Sequence, residues 1–336
     1  KYYSPRKNKR NRKNENNVNI MNWIILTIVS YLMLAVVNLG DKFVVDKLLK
    51  SSKAYAFTIG VLGSLVFLLA PWFLEWPGVF LLVVNFLAGA FFVFALWLMY
   101  ESLKNGEASR VVVVIGGVIP IFTIIFSILF LKETFSKNQW FGVLLLIIGT
   151  FIISFIVSKK KKVSVFLAKL KIFFKGAYPK KWLFFSIMAA FFYSLFFITT
   201  KYAYEQQSFF SSFIWIRLGG LFVSLLFLVD KKTRIEIFKS FKKKEKTPAK
   251  VGKGFIIFNQ LLGSVAFIIQ NYAIYLGPVA LINALQGVQY AFLLVIGIFF
   301  SLFFPKILKE DVSSSIILKK VLAILIIGFG LFFITI

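Results

Sequence analysis

Ten apolar stretches constrain this chain of 336 residues more than any other feature. Each is about 20 residues long, which is the length that an α-helix needs to cross the hydrocarbon core of a bilayer. Their approximate limits are 22–41, 54–74, 79–101, 108–131, 138–157, 182–203, 209–229, 254–275, 279–304 and 319–336. A β-barrel would show short segments of alternating hydrophobicity instead. The pattern therefore predicts an all-α polytopic membrane protein with ten transmembrane helices.

The composition agrees with a membrane protein. Hydrophobic residues make up 59% of the chain, and Phe alone contributes 43 residues, which is far from the composition of a soluble domain. The net charge of +27 raises the question of nucleic acid. The Lys and Arg residues, however, lie mainly in short segments between the apolar stretches, where they would meet lipid headgroups. We therefore expect the lipid bilayer, and no nucleic acid, as a partner.

The residues that the chain lacks exclude several functions. It contains no Cys and no His, so disulfides, the usual zinc and haem sites and a His-dependent catalytic triad are excluded. The sequence also lacks the G-x-x-x-x-G-K-[ST] motif that binds ATP phosphates. We expect no enzyme activity, no cofactor and no metal site.

The two halves of the chain share short motifs in the same order. The matching positions are Lys42 with Lys201, Asn85-x3-Gly89 with Asn259-x3-Gly263, and Gly149 with Gly328. This order indicates a duplicated unit of five spans. Because five is odd, the second copy must enter the membrane upside down. Such inverted repeats are common among secondary transporters, whose substrate lies between the two halves near the bilayer midplane.

The duplication suggests four segments. Residues 1–20 are predicted to be a disordered basic tail, 21–157 the first repeat, 158–181 a basic linker with an amphipathic part, and 182–336 the second repeat. Met21 opens the first apolar stretch, so it stays open whether the tail belongs to the mature chain. The orientation is open too, because basic loops after the odd-numbered spans and the basic tail point to opposite sides.

The order of motifs over residues 22–336 resembles the EamA-like transporters of the drug/metabolite transporter superfamily. In the first repeat the resemblance is carried by Pro120, Leu131-x-Glu133, Gly142 and Gly149. In the second it is carried by Arg217 within FSSFIWIRLGGLFVSLL and by NALQGVQYAF, which lacks the proline of that motif. The resemblance implies a central cavity lined by spans 1, 3, 4, 6, 8 and 9. It also implies amino acids, their derivatives or related metabolites as substrates.

The segment NALQGVQY places a polar stripe on a strongly apolar span. On a helix, Asn283, Gln286 and Tyr290 fall within about 60° of one another, and Gln289 widens the arc to about 120°. An unpartnered polar group that faces lipid is costly, so this side should face a polar interior. We predict that these four side chains contact substrate.

Polar residues on other spans are further candidates. Those for substrate contact are Asn38, Asn85, Tyr193, Arg217, Asn259 and Gln270, and those for gating or a hinge are Pro120, Lys42, Lys201 and Asp41. Their faces should also point inward. The alternative for each uncharged polar side chain is a hydrogen bond between helices, which contributes about 0.6–2 kcal/mol in membranes.

The charged residues and the proline within the spans each allow two interpretations. Lys42 and Lys201 either extend to the headgroups or form an electrostatic gate, with Asp41 as a partner of Lys42. Arg217 lies deeper and either binds backbone carbonyls or contacts a substrate carboxylate or phosphate. Pro120 is expected to bend span 4, as a passive kink or as a hinge.

The acidic residues offer no clear proton carrier by position, and Asp41 is the best remaining option. Glu101, Glu107 and Glu133 lie near span ends and are expected at the interface.

Taken together, these features favour a secondary transporter of small polar metabolites in the cytoplasmic membrane, working by alternating access. A flippase for lipid-linked substrates and a membrane scaffold that does not transport are the alternatives. The oligomeric state and coupling ion stay open.

Overall fold

The computed structural model describes residues 21–40, 52–105, 108–157, 181–242, 253–303 and 314–335. All regular elements in these ranges are helices. They are α1 (Met21–Gly40), α2 (Ser52–Gly63), α3 (Ala70–Phe73), α4 (Val79–Asn105), α5 (Ala108–Phe126), α6 (Lys137–Val157), α7 (Lys181–Gln206), α8 (Phe209–Leu226), α9 (Lys231–Lys242), α10 (Lys253–Leu276), α11 (Val279–Ala284), α12 (Gln286–Phe303) and α13 (Ser314–Thr335).

Seven helical segments in the described ranges are long and apolar enough to cross a membrane. They are Met21–Gly40, Ser52–Phe73, Val79–Asn105, Val114–Leu131, Lys181–Gln206, Phe209–Leu226 and Val279–Phe300. Each coincides with a span predicted from the sequence, so the chain is a multi-pass membrane protein. The helices α6, α10 and α13 lie at the other three predicted spans, and ten crossings remain a prediction.

Three of the spans are less regular than continuous α-helices. A 3₁₀ segment, Ser64–Leu69, joins α2 to α3, and a π-helical segment, Ser127–Leu131, follows α5. The predicted span 279–304 is interrupted at Leu285, between α11 and α12. There the Val288 N–H bonds to the Leu285 carbonyl, three residues earlier instead of four. The interruption lies within the NALQGVQY stripe, which the sequence analysis treated as one helix.

The segment 230–253, which lies between two predicted spans, contains the helix α9. Asp230 caps its first turn, because the carboxylate accepts hydrogen bonds from the Thr233 N–H at 3.0 Å and the Thr233 hydroxyl at 2.6 Å. These bonds lower the pKa of Asp230. Thr233 and Ile237, one turn apart, are buried. The high charge of the segment concealed this amphipathic pattern.

Helices that correspond in the two predicted repeats run antiparallel where they meet. In α6 and α13, Gly142 packs against Gly330, whereas Gly149, further along α6, packs against Ile327. The first helix of each half also runs antiparallel to the third helix of the other. Thus Ser102 of α4 bonds to the Trp182 carbonyl at the start of α7, while the start of α4 meets the end of α7.

The pair α1 and α10 repeats this arrangement. Trp23 at the start of α1 packs on Gly277 just beyond the end of α10, and Val37 near the end of α1 accepts a bond from Asn259 near the start of α10. The core therefore lies where α1, α4, α5, α7, α10 and α11–α12 come together, which is the set of helices expected to line a central cavity.

Candidate substrate site

Two hydrogen bonds that join the halves are related to each other. The Tyr31 hydroxyl on α1 donates to the Ile282 carbonyl on α11 at 2.8 Å. The Ser194 hydroxyl on α7 donates to the Ile119 carbonyl on α5 at 3.1 Å. Ser194 follows Tyr31 by the same number of residues as Ile282 follows Ile119. The first helix of each half thus bonds to an equivalent carbonyl on the fourth helix of the other half.

Pro120 and Asn283 stand directly after these two carbonyls and occupy equivalent places. Asn283 is buried and donates to the Thr123 hydroxyl at 3.3 Å. The Thr123 hydroxyl donates to the Ile119 carbonyl at 2.8 Å and lies 3.3 Å from the Ser194 hydroxyl. The result is a buried polar cluster that joins α5, α7 and α11 beside a proline, which supplies no backbone donor.

Tyr31, Gln270 and Tyr290 form a second polar group next to this cluster. The Gln270 side chain hydrogen-bonds to the Tyr31 hydroxyl, and Tyr290 lies close enough to influence it electrostatically. The Tyr290 hydroxyl occupies the space where a side chain at Gly116 would lie. All three polar side chains are buried. They bring together α1, α10, α12 and α5.

The guanidinium of Arg217 lies among three phenylalanine rings. Its Cζ atom is 4.2 Å from the Phe267 ring centroid, 4.9 Å from that of Phe92 and 5.0 Å from that of Phe213. Backbone carbonyls and a substrate were the two contacts expected for Arg217. The structure surrounds the cation with aromatic faces, which attract it through their quadrupoles, and contact with a substrate stays a prediction. In the described part of the chain, no carboxylate lies within salt-bridge distance of it.

Tyr204 and Asn271 extend this site and were missed by the sequence analysis. The Tyr204 hydroxyl donates to Asn271 Oδ1 at 3.2 Å and is near enough to Arg217 to interact electrostatically. The Asn271 amide donates to the Phe267 carbonyl at 2.8 Å. Asn271 follows the predicted Gln270, but points to α7 rather than to α1. Its polar character inside α10 was the available signal.

Asn85 and Asn259 both connect helices. Asn85 donates to Gln207 Oε1 at 3.1 Å and accepts a bond from the Ser212 hydroxyl at 3.0 Å. Asn259 donates to the Val37 carbonyl at 3.3 Å. Interhelical bonds, the alternative weighed from the sequence, are therefore present at both positions. Substrate contact by either one stays a prediction.

The remaining candidates fall in different surroundings. Gln289 is buried, Gln286 is partly buried, and the partly buried Tyr193 donates to the Met99 sulfur at 3.6 Å. Asn38 is exposed, so the prediction that it faces inward is wrong; near this end of α1 the buried side chains are Ala35 and Val37 instead.

Two of the gating candidates, Asp41 and Lys42, lie outside the described residues.

Lys201 and Glu133 approach each other at one end of the site. Lys201 is buried, and its ammonium donates to the Tyr275 carbonyl at 3.3 Å and lies 3.7 Å from the Glu205 carboxylate. Glu133 Oε1 accepts the Val279 N–H at 3.2 Å. Glu133 Oε2 is buried without a hydrogen-bond partner. Glu133 lies at the end of a span, as expected from the sequence, but its carboxylate is partly enclosed by the protein instead of fully exposed.

Burial raises the pKa of Glu133, which lies just beyond the span Val114–Leu131. The Val279 N–H and the charge of Lys201 oppose this shift, and the Ser127 side chain opposes it more weakly. The groups gathered here thus include amides, hydroxyls and cations in an apolar setting.

Comparisons with known proteins agree with this description. Residues 21–155 match the EamA-like transporter family. An uncharacterized protein of Methanocaldococcus jannaschii is 44% identical over 57 residues, which cover 17% of this chain and 41% of that protein. A crystal structure of a protein superposes on 92% of this chain and 97% of its own with a TM-score of 0.59 at 13% identity, which shows the fold alone. Residues 21–155 are therefore similar to the EamA-like transporter family, which agrees with the resemblance to the drug/metabolite transporter superfamily found in the sequence.

Proposed function

We propose that this protein is a secondary transporter of small polar metabolites that carry an anionic group, with amino acids and their derivatives as the expected class. It works by alternating access in the cytoplasmic membrane. Two inverted repeats of five spans rock about the site formed by α1, α5, α7, α10 and α11–α12, and each repeat in turn opens the site to one side.

The packing of the helices supports inverted repeats. A duplication with the same orientation would place α6 and α13 parallel, whereas they pack antiparallel. The bonds of Tyr31 and Ser194 are also reciprocal, as expected when a two-fold axis in the membrane plane relates the halves. Such an axis would pass between Ile119 and Ile282, close to the polar side chains of the site.

Arg217 carries the proposal for an anionic substrate. A cation in apolar surroundings without a counter-ion is unfavourable, and three aromatic rings compensate for only part of the lost hydration. A carboxylate of the substrate would complete the compensation, because guanidinium binds carboxylates with two parallel hydrogen bonds. The Tyr204, Asn271 and Gln270 side chains nearby would supply polar contacts to the rest of the molecule.

Counterflow in proteoliposomes tests this function. Purified protein would exchange pooled labelled amino acids, and the Arg217→Gln and Gln286→Leu variants would be compared with wild type. Loss of a charged hydrogen-bond partner costs at least about 2 kcal/mol of binding, so Arg217→Gln should lower affinity by at least about thirtyfold. Arg234→Gln, at an exposed position of α9, is the matched control and should exchange normally.

Two results would contradict the proposal. Folded wild-type protein that exchanges no labelled amino acid would exclude this substrate class. Folded Arg217→Gln that binds and exchanges substrate like wild type would exclude Arg217 as the group that recognises the anion.

A further inference from the structure

The carboxylate of Glu133 connects the two halves of the chain at a break in the helices. It follows the π-helical segment and Lys132, whose backbone is left-handed with φ 55°. From the first half, Oε1 reaches across to the Val279 N–H at the start of α11 in the second half. The other oxygen, Oε2, is enclosed and has no partner. One oxygen therefore joins the two halves, while the other is enclosed and makes no hydrogen bond.

The charged groups around Glu133 come mainly from α7. Lys201 favours the ionised carboxylate, and Glu205, which is more exposed, opposes it. The neighbouring helix α11, VALINA, has no charged residue, and its contribution is the Val279 N–H. On its own segment, Lys132 is exposed, and Ser127 lies near the carboxylate. The ionisation of Glu133 therefore depends chiefly on burial and on Lys201.

We propose, on the basis of the transport function above, that Glu133 is the proton-binding site that couples transport to a proton gradient. When ionised, the carboxylate accepts the Val279 N–H and attracts the Lys201 ammonium, which keeps this end of the two halves together. Binding of one proton to Oε2 gives a neutral carboxylic acid and removes that attraction, so this end opens. The proton comes from water on one side of the membrane and returns to water on the other.

The surroundings of the other described acids differ. The backbone of Glu75 bonds to Ser211 and Trp215, while its own side chain is exposed. Glu101 accepts a hydrogen bond from the Ser52 hydroxyl. For Glu133, burial raises the pKa from its ordinary value of 4.5, which brings its protonation closer to the pH values across a cell membrane.

The test separates coupling from exchange. Proteoliposomes would be assayed with pooled labelled amino acids, once by counterflow at equal pH and once by uptake driven by a pH gradient. Wild type should concentrate label when the gradient is imposed. Glu133→Gln, which imitates the protonated acid, should still exchange label at equal pH. Its gradient-driven uptake should fall to that of liposomes without protein.

Two further variants make the result specific. Glu75→Gln, with an exposed acid, should keep both activities. Glu133→Asp keeps a titratable group and should keep gradient-driven uptake with a shifted pH profile, which provides a test even if Glu133→Gln does not fold. Three results would each overturn the proton site. They are gradient-driven uptake by folded Glu133→Gln, no gradient-driven uptake by wild type, and no gradient-driven uptake by folded Glu133→Asp. Absence of counterflow in wild type would overturn the transport function instead.

Discussion

Replacement of Gly89 by Ala should separate two helices that the site depends on. Gly89 of α4 faces α8, where an added Cβ would lie within 3.0 Å of the Ile216 carbonyl oxygen and the Gly220 nitrogen, and 2.8 Å from the Gly219 carbonyl carbon. Ordinary contacts of a Cβ are 3.4–4 Å. Because the neighbouring atoms are backbone, no change of rotamer relieves the clash. The helices must move apart.

The cost follows from the size of that movement. To relieve the contact with the Gly219 carbon alone, the distance between α4 and α8 must grow by about 0.6 Å. That separation loses a quarter to a half of the van der Waals energy along the interface. Overpacking of this kind costs about 1–3 kcal/mol, and the unyielding backbone places Gly89→Ala at the upper end. The higher helix propensity of Ala returns about 1 kcal/mol. We expect a net loss of about 2 kcal/mol, or a Tm lower by roughly 4–8 °C.

Thermal unfolding in detergent, followed by tryptophan fluorescence and size-exclusion chromatography, measures this change. Gly328→Ala is the matched control, because Gly328 lies in α13 with nothing within 4 Å of an added Cβ. It should unfold at or slightly above the wild-type temperature. If Gly89→Ala is as stable as Gly328→Ala, α4 and α8 are not in the close contact described, and the position of Arg217 relative to Phe92 would need revision.

Two further stability predictions follow from buried polar groups. Asn85→Leu removes the bonds to Gln207 and Ser212, each worth about 0.6–1.7 kcal/mol in a membrane, so its Tm should fall by several degrees, whereas Asn38→Leu at an exposed position should not change it. Equal melting temperatures of these two variants would contradict the prediction. The second prediction concerns pH. Because the pKa of Glu133 is raised, the native state binds its proton more tightly than the unfolded chain does. That stabilisation is complete below pH 4.5 and is lost as pH rises through the folded pKa. Between pH 4.5 and the folded pKa, the Tm of wild type should therefore fall relative to the Tm of Glu133→Gln. If the Tm of the two proteins changes with pH in parallel, the prediction is wrong.

Much of the candidate site could be predicted because polar residues within apolar spans have few places to go. Asn85, Asn259, Gln270 and Asn283 are all buried, as their position on polar faces indicated. The same reasoning failed for Asn38, near the end of α1. At a span end the helix no longer needs to turn its polar side inward.

The sequence could not predict the surroundings of Arg217. Phe92, Phe213 and Phe267 are three of 43 phenylalanines, so neither their identity nor their spacing marks them as partners of a cation. They come from α4, α8 and α10, and only the crossing of these helices brings their rings around one guanidinium. Asn271 likewise became relevant only when Tyr204 of α7 was found against it.

The sequence by itself determined that this chain spans a membrane, because runs of about 20 apolar residues have no other stable environment. The recurrence of short motifs along the chain also predicted two related halves, which stays a prediction. The tertiary structure alone decided which side chains meet across those halves, as Glu133 does with Val279 and Tyr31 with Ile282. The reason is physical. The hydrophobic length of a span fixes that it crosses the bilayer, whereas its rotation and depth are set by close packing against neighbours distant in the chain.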